Sequence, residues 1–313
     1  MNNIKPLTSE EPESITSKFI INSPSYPKTL KEKRDNILIL GTKLNSFSAR
    51  NLNNIHHINH QVYHLLLDPF TLDNAYTNLS KNKGTFTNGV NVGNIQGYSR
   101  NKTIHLIQLL KKKEYCPDPV RIIWIPKPGK FTKRPLGIPS FADKFIQEAM
   151  RGILESIYEP EFTNFSNRTK LCDNFGFRPN KSCWDAIEHF TKYGQKTTFV
   201  IEGYIKGAYD NVNHKILINI ISKRIKDKNF IDLLQRFLDA GIMDEGKYEH
   251  SLLGVPQGGV LSSLLFNIYM FEFDKYIYDE IISKYHSWNT NKNKSNQYQK
   301  ILYQKNLASI LDI

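Results

Sequence analysis

The side chains best suited to chemistry fall into a few short, separated stretches of this 313-residue chain. The most concentrated is VRIIWIPKPGKFTKRPLGIPS, Val120–Ser140, where two apolar runs flank a Pro-Gly turn bearing Lys127, Lys130, Lys133 and Arg134. Extended apolar residues around such a turn predict a β-hairpin, and cations clustered at one end of it suit phosphate binding. Further along, GFRPNKS carries Arg178 and Lys181, FVIEGYIKGAYDNVNH carries Glu202, Tyr204 and Asp210, and VPQGG sets Gln257 in a glycine turn. Singly, each is weak. A basic hairpin is more often a solvated edge, and PQGG alone is only a turn. Their order along the chain carries the information.

Composition narrows the partners. Lys and Arg total 42 against 30 Asp and Glu, a net charge of +12, so a polyanion is the natural partner. Cys116, Cys172 and Cys183 form no CxxC pair and no zinc spacing, which argues against a disulfide framework and fits a reducing compartment. No stretch approaches the roughly 20 apolar residues of a membrane span. The first residues, MNNIKPLTSEEPESITSKF, make a poor transit or signal peptide. His56, His57 and His60 lack acidic or cysteine partners and read as a polar helix face rather than a metal site. The Asn, Ile and Lys bias points to an A/T-rich gene, as in many organelle genomes.

The elements that must position these residues follow from periodicity and punctuation. Residues 1–55 are polar and read as a largely disordered leader. Apolar residues recur at near-helical spacing from His60 to Leu79, interrupted by Pro69. Ser99 is placed to cap a helix running to about Tyr115. After the basic hairpin, Asp143 starts an amphipathic helix through Ile157, and Cys183–Tyr193 is another. Phe199–Ile205 reads as a strand, Asn213 opens a helix, and Asp227–Ala240 forms one closed by Gly241. The PQGG turn then leads into a last helix, and the residues from Ser283 are Asn-, Lys- and Gln-rich.

The ordered series IPKPGK…KRPLGIP, DKFIQ, GFRPNKS, IEGYIKGAYDNVNH and VPQGGVLSSLLFNIY resembles the successive blocks of group II intron-encoded reverse transcriptases, the maturase family. The resemblance runs from about Tyr63 to about Tyr278. It implies an α+β, right-hand polymerase fold: fingers over 56–195, a partial palm over 196–282 built on an antiparallel sheet packed by helices, and a polar tail or insertion over 283–313. It also implies that Lys127 and Arg134 contact a nucleotide triphosphate, and that Tyr209 lies under the nucleotide sugar. Gln257 would line the nucleotide pocket, and Arg178 and Lys181 would touch template or primer phosphates, with surface charge as the alternative. RNA is the implied partner, with a DNA primer as a second, and Mg²⁺ the family's cofactor.

Two departures bear on activity. Phosphoryl transfer of this kind uses two Mg²⁺ ions about 4 Å apart, held by carboxylates. The family supplies one from the position occupied here by Tyr204, a neutral phenol and a poor ligand for a hard cation. Along an extended strand Asp210 would lie roughly 20 Å away and Glu202 about 6–7 Å, both out of register. The family's Tyr-Ala-Asp-Asp segment and thumb are not found before the final SILDI, so the chain reads as truncated ahead of them. Ser263 and Gln96 also replace the family's usual Pro and acid. The expectation is a reverse transcriptase relative deficient in Mg²⁺ binding and polymerisation. Its alternatives are an RNA-binding remnant that assists intron folding or splicing, and a decaying frame. A mitochondrial location is preferred over a plastid or bacterial one.

Overall fold

A computed structural model of the chain describes residues 44, 46–91, 98–129, 131–170, 173–194, 202–250 and 253–283. Several of its helices begin where capping side chains direct. Residues 46–53 are helical (α1). The apolar run after His60 divides into a short 3₁₀ helix, Val62–Leu67, and α2, Pro69–Ser80. The break sits at Asp68, whose side chain accepts from the amide of Phe70 while Pro69 takes the first helical position, where its missing N–H is not needed. Helix α3, Arg100–Lys112, is capped by Ser99 as expected and ends at Lys113 in the left-handed region. Strands β1, Val120–Pro126, and β2, Lys133–Ile138, form the anticipated hairpin, with Trp124 opposite Pro135 and Ile125 opposite Arg134.

Helix α4 spans Phe141–Thr169 and so runs well past the Ile157 boundary read from the sequence. It contains Pro160, which removes one helical hydrogen bond. Packing explains the continuation: Phe162 and Phe165 lie edge-on to Phe271 at 4.9 and 5.1 Å between ring centroids. Phe145, Ile146, Met150, Ile153, Leu154 and Ile157 make this helix the axis of the core. It packs against α2 and the last helix, α8, Ser262–Tyr276. Between them lie α5, Cys183–Gly194, α6, His214–Arg224, and α7, Lys228–Asp239, the last two capped by Asn213 and Asp227. No residue of α5 is buried.

Short strands β3, Ile242–Asp244, and β4, Lys247–Glu249, complete a sheet of order β2-β1-β3-β4. The α+β class is as expected. The sheet is mixed, since β1 pairs parallel with β3 between two antiparallel pairs. The expected strand at Phe199–Ile205 lies partly outside the described residues, and residues 202–205 form no strand. The end of the expected leader is ordered: Asn51 is buried, and its amide exchanges hydrogen bonds with Asn59. Arg224 fastens this segment, donating to Asn51 Oδ1, the His57 carbonyl and Glu161. Among the described residues, no helix is long and apolar enough to cross a membrane.

At the start of α4, Asp143 is 1% exposed and accepts hydrogen bonds from Tyr115 Oη, Ser140 Oγ and the amide of Asp118. Burial pushes its carboxyl up to about 6 from the ordinary 3.8, against the opposing pull of the two hydroxyls. A carboxyl raised in the folded state stabilises below the unfolded value and loses that contribution as pH climbs through the folded one. The urea midpoint of the wild type, relative to Asp143→Asn, should therefore fall as pH rises from 3.8 to about 6. Parallel curves for the two proteins across that window would contradict this account.

Candidate functional site

The hairpin and the PQGG turn meet through bare backbone. The Gly137 amide donates to the Gln257 carbonyl at 2.6 Å. A Cβ on Gly137 would stand 2.8 Å from Val120 Cγ1 and 2.9 Å from Pro256 Cβ. One on Gly258, whose φ is +100°, would stand 2.5 Å from Leu136 Cδ1 and 2.9 Å from the Gly137 carbonyl. Glycine is the residue that tolerates both that φ and that approach.

A cleft of about 340 Å³ opens beside this joint, lined by Ile122, Trp124 and Pro135 of the hairpin, Gln257 of the turn, Asp210 and Asp244. Asp210 reaches it through a tight turn in which the Asn211 amide donates to the Gly207 carbonyl at 3.0 Å. The extended path from Tyr204 to Asp210 expected from the sequence is thus corrected: residues 206–211 fold back on themselves. Two further bonds tie this turn to the PQGG segment, Val255 N to Tyr209 O at 2.9 Å and Gly254 N to Val212 O at 2.8 Å. Tyr209 stacks its ring on Phe266 of α8, centroids 4.5 Å apart and 20° from parallel. Gln257 and Asp210 therefore share one cleft, with Tyr209 at its shoulder.

Other predicted residues stand elsewhere. Lys127 and Arg134 are exposed on the free end of the hairpin and form no ion pair among the described residues. Tyr204 is 93% exposed. Its phenol does not fit a hard divalent cation. Trp124 and Asp244 were not singled out by spacing, yet Trp124 Nε1 donates to both carboxylate oxygens of Asp244 at 3.1 and 3.2 Å and holds the hairpin to β3. Only the unforeseen β1–β3 pairing brings those two together.

Arg178 is neither a phosphate-facing group nor a surface charge. Its side chain is buried, and all five N–H groups are used on Glu159, Asp173, Thr163 Oγ1 and the Asn174 carbonyl. Lys181 joins it, with Nζ 2.9 Å from Asp173 Oδ2. These bonds clamp a loop that holds Phe177 and Asn180 at φ +55° and +56°, in the left-handed region that bulky residues rarely adopt.

Comparison with known proteins settles the kinship. The sequence profile of the family "Reverse transcriptase (RNA-dependent DNA polymerase)" matches residues 125–299, more than half of the chain. The chain belongs to the reverse transcriptases, in their group II intron-encoded branch. It is 42% identical over 234 residues to the group II intron-encoded protein LtrA of Lactococcus lactis subsp. cremoris, covering 75% of this chain and 38% of that one. It is 38% identical over 203 residues to the "Uncharacterized 91 kDa protein in cob intron" of Schizosaccharomyces pombe, covering 65% and 24%. Protein YkfC of Escherichia coli (strain K12) matches at 35% over 229 residues, covering 70% and 57%. The chain thus spans less than two thirds of these relatives. For this reverse transcriptase relative the glycine joint should be the least replaceable point of the site. Gly258→Ala should lower unfolding free energy by about 1–3 kcal/mol, read from urea melts. An unchanged midpoint would refute that.

Proposed function

We propose that this group II intron-type reverse transcriptase/maturase chain binds RNA and, as written, does not polymerise DNA. The observation that carries the second half is Tyr204, an exposed phenol at the position from which the family supplies a metal-holding carboxylate. Mg²⁺, when bound in this family, stabilises the charge of the transferring phosphoryl group; a carboxylate at 204 would be one of its ligands, and the phenol is a poor replacement. Asp210 and Gln257 line the 340 Å³ cleft and remain able to orient a nucleotide. Tyr209 offers a ring edge below its sugar, and Lys127 and Arg134 offer cations toward its phosphates.

RNA binding rests on the net charge of +12 and on exposed hairpin cations without carboxylate partners among the described residues. Those cations release counterions when they meet phosphates, so affinity for intron RNA falls steeply with salt. The Asn-, Ile- and Lys-rich composition supports a mitochondrial reading frame.

Primer extension on an RNA template with Mg²⁺ should give no product from this chain, and sequencing of the mature transcript should read Tyr at codon 204. Product, or an Asp codon in the message, would sink the proposal of lost polymerisation. Replacing Lys127 and Arg134 by Ala should weaken RNA binding at low salt and reduce the log–log salt slope by about 1 for each cation removed. RNA affinity no greater than that of an equally charged basic peptide would sink the RNA-binding half.

A further inference from the structure

Two clefts flank β2. Leu136, Ile138 and Lys144 line one of about 530 Å³, and Pro135 lines the one of about 340 Å³ that also holds Asp210 and Gln257. The wall of the smaller cleft that carries Gln257 belongs to no sheet. Residues 253–257 run as a separate stretch, joined at their start by one antiparallel bridge between Leu253 and Asn213. Their path is held by individual contacts rather than by a ladder. Gly254 carries several of these. At its φ of +91°, a Cβ would stand 2.9 Å from the Asp210 carbonyl oxygen and 3.2 Å from the Asp210 Cα. Its amide donates to the Val212 carbonyl at 2.8 Å. Its carbonyl needs a donor as well, because a backbone oxygen withdrawn from water without one costs free energy.

That donor is His214, the first residue of α6. Its side chain is 4% exposed, and Nε2 lies 2.7 Å from the Gly254 oxygen. A carbonyl oxygen only accepts, so Nε2 carries a proton and donates it. The other ring nitrogen, Nδ1, is 3.7 Å from Asp239 Oδ1 in the last turn of α7. Asp239 is steadied in turn by the Gln235 amide, 2.8 and 2.9 Å from its two oxygens. One rigid ring therefore stands between three parts of the cleft. These are the turn bearing Asp210, the stretch bearing Gln257, and the end of α7, whose Phe237 and Leu238 complete the lining. His214 itself does not line the cleft, so whatever it does there is done through Gly254.

We infer that His214 is the positioning residue of this cleft: its bond to the Gly254 carbonyl sets Asp210 and Gln257 relative to each other, and with that the affinity for the nucleotide they orient. This rests on the reading of the cleft as a nucleotide site and adds the residue that holds it in shape.

The test replaces the imidazole by the two amides that copy its nitrogens. In His214→Gln the amide nitrogen reaches the place of Nε2, whereas in His214→Asn it stops at the place of Nδ1, short of Gly254. Two quantities are read on the full chain: the affinity for a mant-labelled dATP by fluorescence anisotropy, and hydrogen–deuterium exchange of peptides covering 206–212 and 253–258. His214→Asn should bind about 2- to 12-fold more weakly and exchange faster by a similar factor in those peptides, the equilibrium weight of one hydrogen bond. His214→Gln should keep both at the wild-type values. A peptide of the α4 core, 145–157, should exchange as in the wild type; faster exchange there would mark a global loss of stability and overturn the local account. If His214→Asn loosens the two segments but binds the nucleotide as before, His214 is structural only and the inference fails. If the two variants behave alike, a donor at Nε2 is not what holds the cleft, and the inference fails while the nucleotide reading stands. A wild type that does not bind mant-dATP brings down the nucleotide reading, and the inference with it.

Discussion

The geometry of this chain turns on one close contact between two backbones. Gly137 and Gly258 bring β2 and the PQGG turn to hydrogen-bonding distance, where side chains would hold them apart. That contact sets the angle between the hairpin and the helical body, because α8 starts directly after the turn and packs on α4. It also creates two clefts, since a strand laid edge-on against a turn leaves space on each of its faces. The same joint thereby separates the surface bearing Gln257 and Asp210 from the surface bearing Lys144.

Charge is sorted in the fold in a way that composition conceals. Arg178 and Arg224 are structural rivets: planar, multidentate and buried, they satisfy carbonyls and carboxylates that would otherwise be stranded. Lys127, Lys133 and Arg134 on the hairpin are left facing water. A net charge of +12 is therefore a poor measure of the electrostatic footprint, because part of the positive charge is consumed internally.

What could be read from the sequence was what depends on near neighbours. The caps at Ser99, Asn213 and Asp227, the hairpin turn and the closing Gly241 each follow from chemistry within a few residues, and each stands where expected. The failures needed distant partners. Helix α4 runs past the expected Ile157 boundary because the packing that carries it on, Phe162 and Phe165 against Phe271, comes from over a hundred residues away. Arg178 looked like a phosphate ligand because Glu159 lies in another element. The residues from 204 to 210 looked extended because the bonds that close the turn involve Asn211 and Gly254, which the strand pattern does not register. At the site, Gln257 and Tyr209 were recognisable from their motifs, whereas Trp124 and Asp244 meet only through a parallel pairing that local sequence does not encode.

Tyr204 illustrates how little the fold has invested in its chemistry at that position. An exposed side chain makes few contacts, so exchanging phenol for carboxylate there alters folding free energy only slightly. Asp and Tyr codons differ by a single base. Selection on stability is consequently blind to this site, and the residue there can change without the lineage traversing a misfolded ancestor.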